Sequence, residues 1–154
     1  RKIMQKTIHG ILTLIVIAVF TLSCTRNNGD IGEYFGTWKV ESITLNEVKD
    51  ATYTGNLFWG FQASVFSMKQ VGENHSSTQC WGTWEDIDGK ILRIDFTHHD
   101  NLRPEGSPFY TPLPISYLPQ GVSDLTILLL SGSEMNLEYI NNEGTRIKYK
   151  LKKW

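Results

Sequence analysis

The side chains with the most reactive chemistry are scattered rather than gathered. His98-His99-Asp100 sets two imidazoles beside a carboxylate, ligand types that suit zinc or copper. The triplet follows an alternating apolar run, Leu92, Ile94 and Phe96. Neighbours on an extended chain point to opposite faces, so His98 and His99 do not converge on one ion. His75 sits in a separate turn, Gly72-Glu73-Asn74-His75-Ser76. A structural metal site wants four placed ligands, so no metal is expected and the triplet reads as solvated loop. Cys80 and the serines have no base at motif spacing, and no Gly-x-Ser-x-Gly elbow occurs. Glu85, Asp86 and Asp88 lie at a turn, where carboxylates cap and solvate instead of sharing a pocket. The expectation is a noncatalytic protein with no cofactor.

Aromatic residues carry more information. Trp59, Trp81, Trp84, Phe58, Phe61, Phe66 and Phe96 crowd the first half of the chain. Strand alternation puts Trp81 and Trp84 on opposite faces. Most of these rings are expected to fill a core, as side chains do in small barrels. The sharper reading lets Trp59, Phe61, Trp81 and Trp84 line a ligand cavity, with Phe109, Tyr110 and Tyr117 as its lid or rim.

The elements that must position these residues are strands. In Arg146-Ile147-Lys148-Tyr149-Lys150-Leu151-Lys152 apolar residues alternate with cations, the mark of a half-buried strand. Met135 to Tyr139 alternates in the same way, and Asn141-Asn142-Glu143-Gly144 supplies the turn between them. Leu125, Ile127 and Leu129 are expected to face the core from another strand. Trp38, Val40 and Ile43 open the series, with a bulge before Ile43 where the spacing changes. Leu57 to Phe61, Val65 to Val71 and Gln79 to Glu85 complete it, and one turn of helix fits within Glu47–Tyr53. All five prolines, Pro104, Pro108, Pro112, Pro114 and Pro119, fall between His98 and Gly121. Proline cannot donate to a ladder, so this stretch is a long excursion, with Ile115-Ser116-Tyr117-Leu118 as a brief edge strand. It reads equally as a binding lid or as a stiff crossover that covers a barrel end.

The N-terminal segment differs from the rest. Arg1, Lys2 and Lys6 precede the apolar run Ile11 to Leu22, which ends at Ser23-Cys24 and gives way to polar residues. A basic head, a short apolar body and a small residue before the cut describe a secretory signal peptide. Phe20-Thr21-Leu22-Ser23-Cys24 resembles the lipobox of bacterial lipoproteins, with Thr21 where Leu is usual. That resemblance implies cleavage before Cys24 and lipid on its thiol and amine. The expected organisation is a signal peptide over 1–23, a lipidated cysteine and polar tether over 24–35, and one domain over 36–154. From Cys24 onward the 15 Lys+Arg of the chain, less Arg1, Lys2 and Lys6, face 16 Asp+Glu, a net charge of about −4. That balance does not recommend nucleic acid. With Cys24 lipidated, Cys80 is left without a disulfide partner and is expected to be buried.

Gly36-Thr37-Trp38, within Tyr34-Phe35-Gly36-Thr37-Trp38-Lys39-Val40, resembles the Gly-x-Trp opening of the lipocalins and their calycin relatives. The stretch 33–154 is similar to small lipocalin-like lipoprotein domains of gut-type Gram-negative anaerobes, which also carry a Trp-Gly-Thr-Trp strand, here Trp81 to Trp84, and close on a basic alternating strand. No Thr-Asp-Tyr-like turn is present. The resemblance implies an all-β fold, an up-and-down antiparallel β-barrel of about eight strands. Gly36 would let the chain enter the barrel floor, Trp38 would plug the closed end, and Arg146 or a nearby lysine would pack over Trp38.

Two functions are expected. The first is a membrane-anchored envelope protein, held by lipid on Cys24, whose barrel binds a small apolar or amphipathic ligand. The second is a noncatalytic interaction module that docks an envelope protein partner through the excursion 97–121 and its surface. Just after Cys24, Thr25-Arg26-Asn27-Asn28-Gly29-Asp30 holds a single acid, which favours the periplasmic face of the outer membrane.

Overall fold

The computed structural model describes residues 32–104 and 106–154. The expected signal peptide, Cys24 and the tether through residue 31 lie outside the described residues. Among the described residues nine strands follow one another: β1 (Gly36–Leu45), β2 (Val48–Lys49), β3 (Leu57–Gln62), β4 (Val65–Val71), β5 (Ser77–Ile87), β6 (Ile91–Asp95), β7 (Val122–Leu130), β8 (Glu134–Ile140) and β9 (Arg146–Lys153). All pair antiparallel with their neighbours, and β1 pairs back to β9. The short β2 only extends the far end of β1, through Leu45 opposite Val48. The other eight strands close into an up-and-down barrel, which leaves β3 to β9 no free edge.

Alternation explains which residues are inside. Trp38 and Val40, then Leu57, Trp59 and Phe61, then Phe66 and Met68, and finally Ile147, Tyr149 and Leu151 all point inward and are buried. The register sets Trp38 opposite both Trp59 and Lys153. The expected bulge before Ile43 is present as a register shift between Val40 and Ser42. A second shift, between Ile127 and Leu129, changes the phase of β7. An extra residue moves every later side chain to the other face. Leu129 is therefore 41% exposed rather than in the core, and Leu130 packs against the core instead.

Two local expectations are corrected. No helical turn forms within Glu47–Tyr53; Asn46 and Glu47 take positive φ of 48° and 68° and make a tight two-residue hairpin into β2. Ile115 to Leu118 is not an edge strand. Pro114–Ser116 forms a 3-10 turn that ends on Tyr117 at φ 59°, because Pro112 and Pro114 cannot donate to a ladder.

The two ends differ. Entry of the chain at Gly36 and the hairpins at 62–65, 87–91 and 130–134 share one end. The β1–β2 turn, the 71–77 and 140–146 connections and the excursion between β6 and β7 share the other, the mouth.

Candidate functional site

The floor of the barrel is built around Trp38. Gly36 holds φ +107°, a conformation that suits glycine, and turns the chain across the end. Trp38 is fully buried, and its indole N–H donates to the Tyr34 carbonyl at 2.9 Å. Tyr34, from the segment expected as tether, is 5% exposed. Its phenol donates to Asp86 Oδ2 at 2.7 Å, and burial, reinforced by that carboxylate, pushes its pKa far above the ordinary tyrosine value. Phe61 and Trp84 pack on the Tyr34 ring, with centroids 5.5 and 4.7 Å away. The Trp84 indole donates to the Ala63 carbonyl at 2.9 Å. These two members of the expected cavity set thus belong to the floor.

The cation over Trp38 is Lys153, with Nζ 4.3 Å from the ring centroid. It also donates to the carbonyls of Glu33, at 3.0 Å, and Phe35. Arg146 stands at the opposite end of β9, where it faces Glu47 at 3.8 Å and Glu138 at 3.6 Å. The reason is length: β9 crosses the whole barrel, so its first and last residues serve different ends.

Above the floor the lumen is packed. Trp59 lies against Phe66 at 5.5 Å and Tyr149 at 5.0 Å, with Met68, Cys80, Leu92, Leu125 and Met135 fully buried around them. Burial pushes the Cys80 thiol up to about 11. Among the described residues nothing accepts from the buried Trp59 indole N–H.

The excursion corks the mouth. Leu113 and Leu118 turn inward at 6% and 7% exposure, and Ser116 between them is fully buried. The Tyr149 phenol, rising from β9, donates to the Ser116 carbonyl at 2.6 Å. Ser116 Oγ donates to the Leu113 carbonyl at 2.7 Å and accepts from the Leu118 amide at 3.2 Å. Outside this plug the Tyr117 phenol donates to Asp50 Oδ2 at 2.7 Å. Gln120 ties the return strand down by donating to the Phe96 carbonyl at 2.7 Å.

The remaining aromatic candidates lie on the outside. Trp81 faces away from the lumen and stacks on Phe109, with centroids 4.0 Å apart and planes 20° off parallel. Arg103 covers the same Phe109 ring at 4.1 Å. The Tyr110 phenol donates to Asp100 Oδ2 at 2.6 Å, and Asp100 also pairs with Arg103 at 3.2 Å. Those bonds, led by the Tyr110 phenol, hold the Asp100 carboxyl below its usual range. Asp100 thus braces the excursion internally, and the Phe109 ring on Trp81 seats it against the barrel wall. His98 pairs with Asp95 at 3.4 Å, and among the described residues no three metal-ligating side chains converge.

Beside this stack the outer face of β1, β3, β4 and β5 is hollowed. A groove of about 660 Å³ is lined by Thr37, Lys39, Phe58, Ser67, Lys69 and Trp154, among others. A recess of about 320 Å³ shares Thr37, Gly60, Ser67 and Gln79 with it and ends at Trp81. Gly60 keeps the floor low: a Cβ there would lie 2.5 Å from Ser67 Oγ. Trp154 is 75% exposed, yet it is placed by its amide on the Thr37 carbonyl at 3.0 Å. Its ring meets Phe58 edge-on at 5.2 Å, and Lys39 lies 5.6 Å from its centroid. This hollow was not foreseen from the sequence. Its signal was Phe58: in Leu57-Phe58-Trp59-Gly60-Phe61 an aromatic occupies an outward position, where alternation calls for a polar residue.

The fold is shared with known structures. The crystal structure of a lipocalin-like protein from Bacteroides uniformis superposes with a TM-score of 0.58 at 20% identity, over 80% of this chain and 100% of that one. An uncharacterized protein from Bacteroides eggerthii superposes with a TM-score of 0.56 at 16% identity, over 79% and 99%. At these identities the likeness concerns the fold, which is lipocalin-like. No family model matches this sequence, and no curated protein matches it.

Proposed function

We propose that this lipocalin-like barrel is a noncatalytic binding protein, lipid-anchored through Cys24 at the outer membrane and facing the periplasm, that takes its ligand on the outer face of β1, β3, β4 and β5. The observation that carries the reading is the cork. Ser116 is fully buried in the mouth and bonded to Tyr149 at 2.6 Å, and the lumen beneath it is filled by aromatic and thioether side chains. A ligand could enter only by displacing packed apolar surface, which costs about 25 cal/mol for each Å² exposed. The outer groove asks for no such opening. A concave surface with aromatic walls and a few polar groups is the usual form of a small-molecule site.

One observation favours a second reading, a lidded lumen. The buried Trp59 indole N–H has no acceptor among the described residues, and an orphaned buried donor costs about 1–3 kcal/mol. An amphipathic guest with one polar atom would satisfy it once the 113–118 plug swung away.

Chemical-shift mapping of the labelled domain with a small-molecule extract of its own envelope separates the two. The outer-face reading expects shifts at Thr37, Phe58, Ser67, Gln79 and Trp154. Shifts confined to Met68, Leu92 and Tyr149 would reverse it in favour of the lumen. The anchor is tested separately by palmitate labelling in cells, which Cys24→Ala should abolish. Equal labelling of that variant would remove the lipid from the reading.

A further inference from the structure

We infer that the outer groove is a subsite for an acidic saccharide, a glycan chain bearing uronate carboxylates; the inference rests on the outer-face reading. Three features of the groove point to this chemistry together.

The first is shape. The two hollows share Thr37, Gly60, Ser67 and Gln79, so they form one trough. Phe58 and Trp154 bound it on one side and Trp81 on the other. Sugar rings offer apolar C–H faces, and flat aromatic walls receive such faces well. The second is the floor. Thr37, Ser67 and Gln79 present hydroxyl and amide groups along it, which can donate to and accept from ring hydroxyls. Asn56 adds to this: its Nδ2 donates to the Val71 carbonyl at 2.9 Å, while its buried Oδ1 has no partner among the described residues.

The third is charge. Among the described residues Lys39 and Lys69 line the groove and no Asp or Glu side chain does, in a chain that carries more acids than bases. The acid nearest Lys39 is Glu41, 3.9 Å away at the surface, where such pairs are weak. A carboxylate on the ligand would meet two ammonium groups beside the aromatic walls.

Other occupants fit less well. A peptide that adds as a strand needs a sheet edge, but β3 is bonded to β1 and β4, and β4 to β3 and β5. A purely apolar lipid would strip water from the hydroxyl and amide floor without replacing its hydrogen bonds.

Titration of the full domain with tetragalacturonate, against neutral cellotetraose, tests the assignment by tryptophan fluorescence and amide shifts. The expected result is binding of the acidic oligomer, with shifts at Thr37, Gly60, Ser67, Gln79 and Trp154. Trp154→Ala should weaken it about tenfold, as truncation of an aromatic anchor does. The pair Lys39→Gln and Lys69→Gln should remove the preference for acid over neutral sugar and flatten the salt dependence. All three positions are on the outer face, so an unchanged unfolding midpoint confirms that fold is not the cause. No shift at millimolar tetragalacturonate, or equal binding of both oligomers, overturns the assignment. If envelope extract still shifts the outer face in that case, the outer-face reading stands and only the sugar falls. If extract shifts the inward set, both fall together.

Discussion

Tyr149→Phe probes the cork with one atom. The substitution keeps the ring that packs on Trp59 at 5.0 Å and removes only the hydroxyl that donates to the Ser116 carbonyl. Ser116 is fully buried, so water cannot replace the lost donor while the plug stays seated. An orphaned buried carbonyl costs about 1–3 kcal/mol, and each 1.4 kcal/mol is about tenfold in an equilibrium. Local opening of the plug should therefore rise roughly 5- to 150-fold. Hydrogen exchange reads it directly, because the Ser116 and Tyr117 amides donate to the Leu113 and Pro114 carbonyls at 2.9 and 3.1 Å. The same loss should lower Tm by about 4–12 °C for a domain of this size. The phenol's pKa is raised by burial well above the ordinary value of 10. A folded-state pKa above the unfolded one gives stability that is present below pH 10 and lost as pH rises through the folded value. Tyr149→Phe should thus flatten part of the alkaline fall in stability. Unchanged protection of 113–118 together with an unchanged Tm would refute the cork.

Further outcomes follow from other contacts. Gly82→Ala should destabilise the domain by about 1–3 kcal/mol, since its Cβ would lie 2.6 Å from the Asp95 carbonyl and 3.2 Å from the Phe96 ring; denaturant unfolding measures it. Lys153→Gln removes the cation over Trp38 and should cost about 0.5–1 kcal/mol, the range for exposed cation–π pairs, whereas Arg146→Gln should leave the Trp38 fluorescence environment unchanged. The excursion should loosen in acid. Asp50 ties it to the barrel through Tyr117, Asp100 braces it internally through Tyr110, and both carboxyls are held below the usual 3.8 by hydrogen bonds. Depressed folded pKa values give stability that is present above that value and lost as pH falls through the folded ones, so exchange in 98–118 should quicken below about pH 4 before the barrel unfolds. Cys80, buried and pushed up to about 11, should resist thiol reagents at neutral pH until denaturant exposes it, because the thiolate is the reactive form.

Much of the barrel is legible in the sequence because its signals are local. Strict alternation in 146–152 and 135–139 states both strand and face, and the observed burial of Ile147, Tyr149, Leu151, Leu137 and Tyr139 follows. Gly36 and Trp38 are marked for the floor by the resemblance of Gly36-Thr37-Trp38 to the lipocalin opening, not by the local pattern. Leu129 escaped this logic. The bulge in β1 shows as a change of spacing before Ile43, but Leu125, Ile127 and Leu129 keep period two straight through the shift in β7, so nothing in that strand's own pattern marks it.

The site was less legible, since it depends on which distant residues share a surface. Sequence by itself determined the inward set apart from the end of β7, the placing of Trp81 and Trp84 on opposite faces, and the proline-rich break between β6 and β7. Only the tertiary structure decided that this break turns inward at 113–118 and corks the mouth, because the partner of Ser116 is Tyr149, 33 residues along the chain. It likewise chose Lys153 over Arg146 for Trp38, since strand length and barrel closure set which end of β9 reaches the floor. And it assembled the outer groove from β1, β3, β4, β5 and Trp154, side chains whose shared direction exists only once the sheet has curved and closed.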